Sequence, residues 1–214
     1  MESKDLFNIE ETIAKELIEK EKYPWQCLPR IHDFILELGK KLDKNNYNQI
    51  GEDIWIAKSA KVNESACIIG PTIIDENAEI RHSAYIRGNV IIGKNTVVGN
   101  STELKNCILF NDVEVPHFNY VGDSILGHKA HMGAGAIASN LRVDKNNVMI
   151  IDKNNIIDTG LKKVGAFLGD NVQVGCNSVL NPGTIIGKNT IVYPLSSVKG
   201  VILENIIFKN KNKI

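Results

Sequence analysis

Residues 50–110 read IGEDIWIAKSAKVNESACIIGPTIIDENAEIRHSAYIRGNVIIGKNTVVGNSTELKNCILF, and every sixth residue is large and apolar. The series runs Ile50, Ile56, Val62, Ile68, Ile74, Ile80, Ile86, Ile92, Val98, Leu104, Phe110, and the beat returns as Leu168, Val174, Leu180, Ile186, Val192, Val198. Two positions earlier stands a small or β-branched residue, as in Ala66, Thr72, Ala78 and Ala84, and later Ala166, Ser178 and Thr184. An amphipathic helix repeats every three or four residues and a half-buried strand every two, so a pure six fits neither. It fits a parallel β-helix of hexapeptide repeats, an all-β solenoid in which three hexads close one coil. The aliphatic residue fills the interior and the small one fits the corner beside it.

The flanks are of different material. In residues 1–47, Leu6, Ile9, Ile13, Leu17 and Ile18 recur at helical spacing, Pro24 and Pro29 interrupt, and Ile31, Phe34, Ile35, Leu38 and Leu42 resume. This predicts a helical N-terminal segment capping the first coil, because a terminal repeat exposes apolar surface and strand edges. The solenoid is expected over 48–201, with a polar loop insertion at about 139–163 that leaves from one corner. A tail, 202–214, is expected to pack through Ile206, Ile207 and Phe208.

Lys and Arg number 25 against 25 Asp and Glu, so the charge favours neither nucleic acid nor an anionic membrane as a partner. Four scattered cysteines imply reduced thiols, and no segment has the length of a membrane span. The N-terminus lacks the apolar run of a signal peptide, and a cytoplasmic protein is expected. The flat faces of such a solenoid suit side-by-side packing, so a homotrimer with its site in the grooves between neighbours is expected.

The segments GNSTELKN, VPHFNYVGDSILG, MGAGAIASN and VGAFLGDNVQVGCNSVLNPGTIIG carry more specific information. Over residues 50–200 the chain resembles the acetyltransferase domain of the bifunctional N-acetylglucosamine-1-phosphate uridylyltransferase/glucosamine-1-phosphate acetyltransferases. NLRVD and the segment from IDTGLKK onward are most similar to the archaeal-type sugar-1-phosphate enzymes. The resemblance implies a left-handed coil, a trimer, acetyl-CoA as co-substrate and no metal. It implies that His117 is the general base, a role suited to a side chain that titrates near neutrality. It assigns Arg87 and Lys105 to the phosphate of an amino-sugar 1-phosphate, and Tyr120, His131 and Asn140 to the rest of the acceptor. It assigns Ala134, through its backbone N–H, together with Cys176 and Pro194, to acetyl-CoA. The two cations lie eighteen residues apart, one full coil, and should stack on one face.

The chain departs from the family at His131, which replaces an amine-binding asparagine, at Leu141, which replaces a tyrosine, and at Cys176 and Pro194. Lys145, Lys162 and Lys163 are near the family's loop lysine without matching it. No glycine-rich nucleotide loop is present, so no nucleotidyl transfer is expected of this chain. Two alternatives remain: a trimeric scaffold with a decayed site, and a γ-carbonic-anhydrase-like zinc enzyme drawing on His82, His117, His128 and His131.

Overall fold

A computed structural model describes residues 1–152 and 155–209 of the 214. The chain winds into about eight stacked coils of a left-handed parallel β-solenoid. Left-handed crossovers run against the general rule for parallel strands. Short strands of two to seven residues make three faces.

The first face contains Ile54–Ala57, Thr72–Ile74, Val90–Ile92, Ala166–Leu168 and Thr184–Ile186, and the C-terminal halves of Glu103–Leu109 and Tyr120–Leu126. Its strands are buried on both sides. Ile74, Ile92, Leu109 and Leu126 fill the solenoid, while the alternate positions Trp55, Ile73, Ile91, Ile108, Ile125 and Phe167 are buried beneath the N-terminal segment, and Ile185 is buried further along the face. We call this the sheathed face. The second, open face runs from Lys61–Val62 through Val97–Asn100 and Glu114–His117 to Ile207–Phe208. The third, the site face, carries Tyr85–Ile86, the N-terminal halves of Glu103–Leu109 and Tyr120–Leu126, and Ile137–Ala138.

Corner residues explain the small position of the hexad. The hydroxyls of Thr96 and Thr102 donate to the carbonyls of Phe110 and Val115 at 2.8 and 3.0 Å, satisfying buried backbone groups where the chain turns.

Four expectations need correcting. The N-terminal segment does not cap the first coil. It lies lengthwise along the sheathed face: Gly39 against Trp55, Phe7 on Phe110 at 5.1 Å between ring centroids, and Trp25 near Phe167 at 6.4 Å. Val62, in the first coil, stays exposed. The physical reason is the apolar outward stripe of this face, which offers far more surface than one open end. Ile50 is not an interior rung either. It is half exposed, in the bend between the antiparallel strands Tyr47–Gln49 and Ile54–Ala57. Phe110 also leaves the ladder: Leu109 takes the register of Ile92, and Phe110 is buried at the next corner under Phe7. Finally, of the three tail residues only Phe208 packs against the core, while Ile206 and Ile207 are exposed; residues 210–214 of that tail lie outside the described residues.

The insertion does leave from a corner, after Asn140, and returns at Val164, whose N–H donates to the Asn140 carbonyl at 2.9 Å. It folds back rather than projecting. Met149–Asp152 and Asn155–Asp158 form an antiparallel pair, Ile150 is buried, and Asp152 meets the N-terminal ammonium at 3.5 Å. No helix among the described residues is long and apolar enough to cross a membrane.

Candidate functional site

The site face ends at a corner where the chain turns onto the sheathed face. Residues Asn89, Asn106 and Asp123 occupy this corner in three successive coils, all with positive φ, at 54°, 48° and 49°. That left-handed conformation admits glycine, asparagine and aspartate most readily. Just before the corner stand Arg87 and Lys105 in adjacent coils, as Arg87 N–H donating to the Leu104 carbonyl at 2.8 Å requires. Each cation is ion-paired: Arg87 with Glu103 at 2.6 Å, and Lys105 with Asp123 at 3.4 Å.

Tyr120 begins the same face one coil further on. Its ring lies back over Gly122, where an added Cβ would stand 2.5 Å from the phenol oxygen. This close approach, possible only over glycine, lets the hydroxyl accept a hydrogen bond from the Asn140 carboxamide at 3.1 Å. Burial, and secondarily the Asp123 carboxylate, pushes the Tyr120 phenol pKa up. Asn140 also donates to Asp123 at 2.5 Å. Lys105, Tyr120 and Asn140 therefore meet in one hydrogen-bonded group, with Arg87 a coil away.

At the other edge of the site face, a second column stacks His82, Asn100, His117, Ala134, Cys176 and Pro194 in successive coils. The carbonyls of His82, Asn100, His117, Ala134 and Cys176 each accept from the residue that follows the next member of the column, at 2.9–3.4 Å. His117 ends the strand Glu114–His117, exposed, and its neighbour Asn100 bonds to His82. Gly99, in the coil before, leaves no room for a Cβ, which would fall 1.5 Å from the Pro116 carbonyl oxygen, so the His117 strand sits directly on it. The three residues assigned to acetyl-CoA thus share one column with His117. His131 is not brought to the Tyr120–Asn140 group. It stands on the open face, its Nε2 4.0 Å from Glu114. Leu141 is exposed and bridges to Lys163 at the neck of the insertion.

The four histidines considered for zinc do not converge. Among the described residues, the one group of three potential ligands is Glu11, Asp112 and His128, which has a single imidazole and joins the N-terminal segment to the solenoid. His128 Nδ1 lies 3.0 Å from the Asn111 carbonyl there.

Two residues escaped the sequence reading. Asp123 is 4% exposed and gathers Lys105, Asn106 and Asn140, and Glu103 holds Arg87. The signal for Asp123 was present: it is the one acidic residue of the Asn89–Asn106–Asp123 corner series.

The fold is a solenoid of hexapeptide repeats. Residues 68–164 match the family described as the GMPPB C-terminal domain, and residues 165–200 the bacterial transferase hexapeptide family of six repeats. Over 92 residues the chain is 37% identical to the bifunctional sugar-1-phosphate nucleotidylyltransferase/acetyltransferase of Sulfurisphaera tokodaii, covering 43% of this chain and 23% of that protein. Over 113 residues it is 33% identical to the bifunctional protein GlmU of Methanococcus maripaludis strain C7, covering 53% and 27%. The matches therefore span about a quarter of the length of these relatives, and the resemblance expected from the sequence is found in them. Among solved structures, a mutant of AntD, an N-acyltransferase from Bacillus cereus, is 17% identical with a TM-score of 0.38, over 78% of this chain and 88% of that one. That superposition is too loose to add to the fold.

Proposed function

We propose that this chain is an acetyl-CoA-dependent N-acetyltransferase for an amino-sugar 1-phosphate of the glucosamine- or galactosamine-1-phosphate type. The observation that carries this reading is the convergence of Lys105, Tyr120 and Asn140 at one corner of a face whose other edge holds the His117 column. Arg87 and Lys105 supply charge-assisted contacts to the phosphate, exchanging their carboxylate partners for it. Tyr120 and Asn140 hold sugar hydroxyls. The neutral amine attacks the thioester carbonyl, His117 takes the proton released from nitrogen, and the Ala134 N–H faces the developing oxyanion. Collapse breaks the carbon–sulfur bond, and the thiolate leaves as coenzyme A after reprotonation.

Ala134, Cys176 and Pro194 line the approach of acetyl-CoA along the column. A homotrimer places a neighbour's surface against the exposed His117, so the groove between subunits excludes water from the reacting atoms. The test is coenzyme A release from acetyl-CoA with each hexosamine-1-phosphate. Turnover that depends on both substrates supports the reading; silence with every amino-sugar phosphate leaves a trimeric scaffold as the better account.

A further inference from the structure

Asp123 holds a corner in the left-handed conformation, as asparagine does in the two preceding coils, at Asn89 and Asn106, and as aspartate does at Asp53 and Asp112. The Asp123 backbone φ is +49°, and one coil earlier Asn106 occupies the equivalent corner at +48°. Either residue satisfies this backbone, so what distinguishes Asp123 is the set of groups around its carboxylate. A buried carboxylate is costly unless donors surround it. Here all the side-chain donors come from the candidate acceptor site or its rim: Lys105 Nζ at 3.4 Å, Asn106 Nδ2 at 2.8 Å and Asn140 Nδ2 at 2.5 Å. Asn140 in turn donates to Tyr120 at 3.1 Å.

The geometry points to Asp123 as the positioning residue of the acceptor site, the single anion that holds Lys105 and Asn140, and through Asn140 the Tyr120 hydroxyl, in place before substrate arrives. This rests on the acetyl-transfer reading above and adds a residue to it. The distances divide the labour. The two carboxamides sit at full hydrogen-bond length, whereas the ammonium lies at the outer limit of contact. Lys105 can therefore turn to an incoming phosphate while Asp123 stays satisfied by Asn106 and Asn140. Asp123 does not touch the substrate.

Replacing Asp123 with asparagine keeps the shape and the backbone preference but swaps one acceptor oxygen for a donor. That NH2 must then face the NH2 of Asn106 or Asn140 or the ammonium of Lys105, and one of the three loses its anchor. The expected result for Asp123→Asn is an acceptor KM raised about tenfold or more, with the KM for acetyl-CoA changed by less than about twofold and the thermal midpoint held. A purely structural role would move both Michaelis constants and the midpoint together.

The closing experiment is a double-mutant cycle with Lys105→Ala, read as acceptor KM in the purified full-length protein. If Asp123 acts by holding Lys105 and its neighbours, Asp123→Asn in the Lys105→Ala background costs clearly less than in wild type. Full additivity, or an unchanged acceptor KM in Asp123→Asn, overturns the assignment while leaving acetyl transfer standing. A wild-type protein inert toward all amino-sugar phosphates overturns both.

Discussion

The sheathed face and the site face are built on the same coils, in the same register, sometimes from one continuous strand. Glu103–Leu109 begins on the site face and ends on the sheathed face, turning at Asn106. Their outward positions could hardly differ more. On the sheathed face Ile73, Ile91, Ile108, Ile125 and Phe167 are fully buried under the N-terminal segment. On the site face Tyr85, Glu103 and Tyr120 remain accessible, and the polar groups of the neighbouring corner bond to one another. The interior column specifies the solenoid and is common to all faces. The outward column decides whether a face becomes core or a site, because a parallel strand buried on both sides reads as continuously apolar.

The sharpest way to break this contrast is at the site. His117→Ala should lower turnover by about 10²–10⁴-fold while thermal stability and assembly hold, since an exposed side chain at a strand end leaves no cavity. Full activity in that variant would remove the proposed base. On the sheathed face the opposite pattern is expected. Phe167→Ala should cost about 3–5 kcal/mol of stability in denaturant melts, because the ring is fully buried against Trp25. A change below about 1 kcal/mol would mean the N-terminal segment is not part of the core.

A third substitution probes the latch between segment and solenoid. Asp170 is 5% exposed and accepts from the backbone N–H groups of Asn8 at 2.8 Å and His128 at 3.0 Å, with Lys188 at 3.0 Å. Asp170→Ala should cost about 1–3 kcal/mol by orphaning those donors. It should also speed proteolysis within residues 1–46 before the solenoid is cut. Equal proteolysis of both parts would argue against a separable sheath.

Arg87→Ala should weaken acceptor binding about tenfold and leave acetyl-CoA binding unchanged, measured by calorimetry with glucosamine-1-phosphate and coenzyme A. Equal losses for both ligands would show that Arg87 does not read the phosphate.

The smallest effect concerns pH and thiols. Burial, and then the Glu21 carboxylate, pushes the Cys27 thiol from the ordinary 9.0 up to about 12, so the folded state holds it protonated. Its contribution to stability is complete below about pH 9, where the unfolded thiol is also neutral, and is lost as pH rises toward 12. The thermal midpoint should fall over that window, less so in Cys27→Ala. Cys67 and Cys176, which are exposed, should react with a maleimide in the native protein, whereas Cys27 and Cys107 should react only after unfolding.

How far the sequence could be read follows from these same elements. The six-residue beat is a local signal, and from Ile74 to Leu104 every sixth residue is buried in the interior. Its two ends misled for physical reasons: Ile50 falls in an antiparallel bend, and dropping one corner residue at Asn106 shifts the rung to Leu109. The sheath was legible and went unread. Strands such as TII, VII, CIL, SIL and AFL carry two consecutive large apolar residues after a small or β-branched one, but only on one face of three, and their recurrence once per coil announces a covered surface.

The sequence alone determined the solenoid, its coil length, the outward position of His117 and the placement of Arg87 and Lys105 in adjacent coils, because period and spacing are properties of the chain. Only the tertiary structure decided that residues 1–46 lie along a face, that the insertion folds back, and that Asp123 binds Lys105, Asn106 and Asn140. Those contacts join residues that sequence spacing does not relate, such as Trp25 with Phe167 and Leu6 with Asp170. They depend on shape and on the need of buried polar groups for partners, and neither exists until the coils are stacked.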